Sequence, residues 1–121
     1  MSEPAREPHF IRLTATSLAG PLIWALHFGA VYGGQHVACA TGLLTPGLTR
    51  LGVGVATIAA VLAILMVWAH AKRLVTPARP VSADVPAFLE AVTLFLLGLS
   101  LFAILAAGLA GILLPACPPL R

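Results

Sequence analysis

The chain has 121 residues, of which 60% are hydrophobic and 9% charged, with a net charge of +3. A soluble domain is about 45–50% apolar and about 25% charged, so this chain lacks the polar surface to cover an aqueous core and its apolar excess belongs in lipid. The length fits a single domain, and the scattered basic residues form neither a stripe nor an aromatic-interleaved pattern, which leaves no nucleic-acid partner to expect.

The N-terminal tail is polar and carries Glu3, Arg6, Glu7 and Arg12. An apolar segment follows over residues 17–40, long enough to cross a bilayer as a helix, which takes about 20 apolar residues. Ala38-Cys39-Ala40 has the look of a signal-peptide cleavage site, but Gln35 and His36 interrupt the apolar run just before it, so the segment is expected to stay on the protein. His27 lies near the middle of this span, and an ionisable group at membrane depth is a functional candidate by default. At helical spacing it shares a face with Gly20, Gly34 and Ala38, a lining of small residues that suits close packing. Trp24, Phe28, Tyr32 and Gln35 fall on an adjoining face. The expected partner-contact residues are therefore Trp24, His27, Gly34 and Ala38. His27 itself reads as a neutral, hydrogen-bonded packing residue, with cofactor ligation or a proton relay as the alternative. His36 reads as an interfacial group, with cofactor binding again as the alternative.

Thr45-Pro46-Gly47 signals a turn. The second span covers residues 51–70 and ends in His70, Lys72 and Arg73, a basic cluster expected to anchor the chain against anionic phospholipid. Thr76-Pro77 and Arg79-Pro80 break the next connection. Asp84 is expected to cap the third helix, with Pro86 in its first turn. That span covers residues 85–114 and is longer than a bilayer requires, so tilt is expected. Glu90 sits one turn inside it, favoured by the helix N-terminal dipole, as a headgroup-level residue or as a partner for His70 or Arg73. Pro115, Pro118 and Pro119 end it. The predicted fold is thus all-α, with three transmembrane helices in one domain over residues 1–121.

Basic residues set orientation. Arg6, Arg12, Lys72, Arg73 and Arg79 share one side, against Arg50 and Arg121 on the other. The N-terminus is expected in the cytoplasm and the C-terminus outside, which in a bacterium is the periplasm. Cys39 closes the first span and Cys117 follows the third, so both lie on the outer, oxidising side. A Cys39–Cys117 disulfide is expected there; the alternative is two buried free thiols acting as small apolar residues.

No P-loop, GxSxG, HExxH or CxxC motif occurs, and no acidic cluster offers a metal site, so catalysis and metal binding by this chain alone are not expected. Intrachain haem ligation needs two histidines at one depth. His27 is central, His36 outer and His70 inner, which leaves only a ligand shared with another subunit.

The segment from Pro21 to Cys39, with His27, Tyr32, His36 and Cys39, resembles the first helix of small inner-membrane proteins of proteobacteria that accompany haem-copper terminal oxidase genes. Cys117 within Pro115-Ala116-Cys117-Pro118-Pro119 fits the same pattern. The resemblance covers that helix and the C-terminal tail. It implies an accessory subunit or assembly factor of a cytochrome oxidase or related respiratory complex in the bacterial inner membrane. The chain would carry no cofactor of its own, and haem or quinone would belong to partner subunits. Two rivals stand beside it: an electron-transfer subunit in which His27 or His36 helps bind haem or quinone, and a self-associating membrane-active protein such as a holin.

Overall fold

The computed structural model describes residues 7–75, 84–115 and 117. Within them the chain forms three helices, α1 Glu7–Thr41, α2 Pro46–Val75 and α3 Asp84–Leu113, each packed against the other two. The expected all-helical architecture is present. The expected breaks at Thr76-Pro77 and Arg79-Pro80, the stops at Pro118 and Pro119, and the charges Arg6, Arg79 and Arg121 lie outside the described residues.

α1 begins ten residues before the apolar segment. A count of lipid-depth residues stops at the first polar group, whereas the helix continues through Arg12 and Thr16, whose hydroxyl donates to the Arg12 carbonyl at 2.7 Å. Pro21 lies inside α1, where it has no amide hydrogen to donate to the helical ladder. At the other end the turn is not where Thr45-Pro46-Gly47 suggests. Gly42 takes φ 63°, the left-handed conformation that glycine adopts without strain, and its amide closes α1 on the Ala38 carbonyl at 3.0 Å. Thr45 then caps α2, its hydroxyl accepting from the Leu48 amide at 3.3 Å. Pro46 occupies the first helical position, where no amide is needed.

α2 and α3 contain stretches long and apolar enough to cross a membrane, Pro46–Arg73 and Phe88–Leu113, the most apolar window of each having mean hydropathy 2.4. Only 17% and 28% of their most apolar windows are buried. The core helix of a soluble protein would be mostly buried. Here Val55, Ile58, Met66, Phe95 and Phe102 all point outward. The bundle interior instead holds a small apolar cluster of Ala60, Ile64, Leu97 and Ile104, flanked by Ile23, Val61, Val67, Trp68 and Leu101. Alongside it are the buried polar residues His27, Thr49, Thr93 and Ser100. Large apolar side chains sheathe the outside, while the inside holds this one apolar cluster together with buried polar residues.

α1 and α3 run parallel. Ser17 pairs with Thr93, Gln35 with Gly111 and Cys39 with Cys117, separations of 76, 76 and 78 residues. A constant offset along two helices is the mark of a parallel pair in fixed register. α2 runs back antiparallel to both and packs against each.

Candidate functional site

Three polar residues of α1, Ser17, His27 and Gln35, turn toward the other two helices. Near its start, Thr93 Oγ1 spends its only hydrogen on the Leu89 carbonyl at 2.7 Å, so Ser17 Oγ donates to Thr93 at 2.6 Å. Farther along, Gln35 Nε2 donates to the Gly111 carbonyl at 3.3 Å. Cys39 and Cys117 then join α1 to the end of α3, with S–S 2.03 Å and Cα–Cα 5.6 Å. The cysteine pair expected from the sequence is thus at bonding distance.

At mid-bundle stands His27, only 4% exposed. Its Nε2 lies 3.1 Å from Thr57 Oγ1 on α2. The Thr57 hydroxyl already donates to the Val53 carbonyl at 2.8 Å. A hydroxyl has one hydrogen, so Thr57 accepts and His27 donates from Nε2–H. The neutral imidazole therefore carries its lone pair on Nδ1, which has no hydrogen-bond partner. α3 completes the arrangement with Gly108. A Cβ there would lie 2.5 Å from Thr57 Oγ1 and 2.6 Å from its Cγ2. Only glycine lets the α3 backbone close over this pair. His27, Thr57 and Gly108 make a node that uses all three helices.

The expected contact set divides. His27 and Ala38, at 4% and 3% exposed, face α2 and α3. Their assignment to a partner surface is corrected: the Gly20–His27–Ala38 face is consumed by the bundle's own packing, because α1 must satisfy its polar groups against its own neighbours. Gly34 and Trp24 remain outward-facing. Trp24 stacks with Phe28 at 5.8 Å between ring centroids, and Phe28 with Tyr32 at 4.3 Å, which builds an exposed aromatic ridge along α1.

His36 is exposed and nine residues from His27, about 13 Å along the helix axis. The two histidines do not converge. His70, Lys72 and Arg73 are exposed at the opposite end of the bundle, where Lys72 reaches over the Trp68 ring at 5.9 Å. Lys72 and Arg73 also lie in the last turn of α2, where positive charge complements the helix dipole. Among the described residues Glu90 makes no ion pair with His70 or Arg73, and no three His, Cys, Asp or Glu side chains come together.

A groove of about 210 Å³ opens between α1 and α2 near the disulfide end. Ala30, Gly34, Gly52 and Ala56 give it small walls, and Gln35 and Thr49 give it polar groups. Its inner end, at Val31, Val53 and Ala56, lies beside the His27–Thr57 pair in sequence on both helices.

Thr57 and Gly108 are the two members of the node that sequence reasoning missed. Thr57 offered a signal, a hydroxyl within the apolar run of α2, of the same kind that marked His27. Gly108 offered none that set it apart from the other glycines. No protein-family model, curated protein or solved structure matches the chain.

Proposed function

We propose that the chain is a three-span, non-catalytic membrane subunit that packs onto a larger membrane complex and stabilises it. The observation that carries this reading is the inverted bundle: large apolar side chains outside, hydroxyls, His27 and Gln35 bonded inside. That is the distribution a lipid solvent demands, since an unsatisfied polar group in hydrocarbon costs several kcal/mol. It also accounts for α1 as the third span. His27, Gln35 and His36 dilute its hydropathy, but His27 and Gln35 are bonded to α2 and α3, so lipid meets Leu18, Leu22, Leu26 and Val37 instead.

In the orientation set by the basic residues, the N-terminus is cytoplasmic and the disulfide periplasmic. His70, Lys72 and Arg73 then meet anionic headgroups on the inner face. The partner surface is the aromatic ridge Trp24, Phe28 and Tyr32, beside Gly29 and Gly33, where an added Cβ would meet nothing within 4 Å. A ridge of rings beside open glycines suits the groove and ridge of a neighbouring transmembrane helix. The resemblance of the Pro21–Cys39 segment to oxidase-associated proteins makes a haem-copper oxidase the first complex to test.

The experiment is a mild-detergent pull-down of the tagged chain from its native membrane, read by mass spectrometry and a visible spectrum. The expected result is co-recovery of oxidase subunits in fixed ratio with their haem bands, lost on Trp24→Ala combined with Gly33→Leu. Recovery of the chain alone and colourless would sink the reading.

A further inference from the structure

The groove between α1 and α2 is left unused by the proposed packing, which places the partner on the aromatic ridge. It runs from Leu44 and Leu48, at the α1–α2 connection, to Ala30 and Ala56. Leu48 to Ala56 spans about 12 Å along α2. Its walls are low because Gly34 and Gly52 bring no side chain. Its polar groups are already engaged: the Thr49 hydroxyl donates to the Thr45 carbonyl at 3.2 Å, and the Gln35 amide to the Gly111 carbonyl at 3.3 Å. An occupant therefore meets mostly apolar surface. A transmembrane helix is about 10 Å across, too wide for a slot of about 210 Å³, whereas a single acyl chain is thin enough to lie in it.

Charge selects the headgroup. Arg50 is exposed on α2, in the same turn as the groove residues Leu48 and Thr49. It forms no ion pair among the described residues. No acidic side chain stands at this end of the bundle. The acids are Glu3, Glu7, Asp84 and Glu90; Glu3 precedes α1, and the others lie in the first two turns of α1 and α3, opposite the disulfide. The amino end of α2, with its positive dipole, lies at the Arg50 end as well. We propose that the groove binds one phospholipid with an anionic headgroup, an acyl chain lying between Gly34 and Gly52 and the phosphate held at Arg50. Arginine takes phosphate through two parallel charge-assisted hydrogen bonds. The bound chain fills the gap that small residues leave between α1 and α2. This site is separate from His70, Lys72 and Arg73, which lie at the other end of α2. The inference rests on α1 and α2 spanning a membrane, and not on which complex the chain joins.

The test is photo-crosslinking. The full chain is reconstituted in phosphatidylcholine vesicles with a trace of phosphatidylglycerol or phosphatidylcholine carrying the same mid-chain diazirine, and labelled residues are located by peptide mass spectrometry. The phosphatidylglycerol probe is expected to label the groove about fivefold more than the phosphatidylcholine probe, the preference that one arginine at a membrane surface gives. Arg50→Gln, at an exposed position, should bring the two yields together. Gly34 and Gly52 line the groove, and a Cβ at either would meet nothing within 4 Å, so Gly34→Leu and Gly52→Leu should each abolish groove labelling. Gly29 is equally open but does not line the groove, so Gly29→Leu should leave it unchanged. Label on Leu22 and Leu26, exposed on α1, reports separately that α1 lies in the bilayer. Its absence would overturn the spanning reading and the proposal with it. With that label present, equal groove yields from the two probes would overturn the proposal alone, as would groove labelling that survives both leucines. A groove that takes no label from either lipid would belong to a partner chain, and would overturn it too.

Discussion

At the scale of single residues, the fold turns on how a few polar groups are satisfied away from water. His27 is legible from the sequence because an imidazole in mid-span is expensive and must be bonded. Its partner is not legible, since several hydroxyls in α2 and α3 were open to it and only the register of the bundle selects Thr57. Thr57→Val keeps the shape and removes the acceptor, so it should destabilise the bundle by about 1–2 kcal/mol. Thermal unfolding in detergent, compared with wild type, measures this, and an unchanged midpoint would mean that His27 is held by something else. Gly108→Ala acts on the same node by steric pressure. Its Cβ would crowd Thr57 Oγ1, Cγ2 and Cβ, and overpacking of this kind costs about 1–3 kcal/mol. The same melt should show the loss. Adding Thr57→Ser to Gly108→Ala removes the crowding methyl, and should recover part of it while keeping an acceptor for His27.

At the scale of elements, apolar runs located all three helices but placed their ends poorly. Hydropathy reports where lipid-compatible residues stop. A helix stops where its backbone finds a cap or a left-handed glycine, here Gly42 for α1 and Thr45 for the start of α2. The pairing of α1 with α3 was legible through the cysteines, because two positions far apart in sequence agreed on one end of the bundle. Which partner the small-residue face of α1 meets is not legible. A face of small residues can serve an external partner or the chain's own helices, and sequence alone does not separate the two. The structure spends the face of Gly20, His27 and Ala38 internally. The disulfide closes a loop of 78 residues, for which the chain-entropy estimate is about 4–5 kcal/mol as an upper value. Cys39→Ala with Cys117→Ala should therefore lower the unfolding midpoint and fray the Gln35–Gly111 end first. Hydrogen exchange along α1 checks this: amides of residues 35–41 should lose protection while those near Ser17 keep it. Uniform protection across α1 would show that packing alone holds that end.

At the scale of the whole molecule, polarity is inverted relative to a soluble bundle. Phe88, Phe95, Phe102, Leu26 and Met66 are each more than two-thirds or close to two-thirds exposed, whereas Thr93, Ser100 and His27 are buried. A protein in water would bury the first group to gain the hydrophobic free energy. Among neighbours as apolar as itself it gains little by doing so, and the polar contacts become what distinguishes inside from outside. Composition predicts this inversion directly. α1 is the least apolar of the helices, and the proposal that it is a third span depends on His27 and Gln35 being bonded within the bundle. The account therefore stands on α1 crossing the membrane. The most direct measurement is the sidedness of the two chain ends, read from alkaline phosphatase and fluorescent-protein fusions at each terminus in intact cells. Three spans predict termini on opposite sides, with phosphatase active at the C-terminus and fluorescence at the N-terminus. Both termini on one side would mean that only α2 and α3 cross, and would contradict the reading of α1 on which the proposed bundle rests.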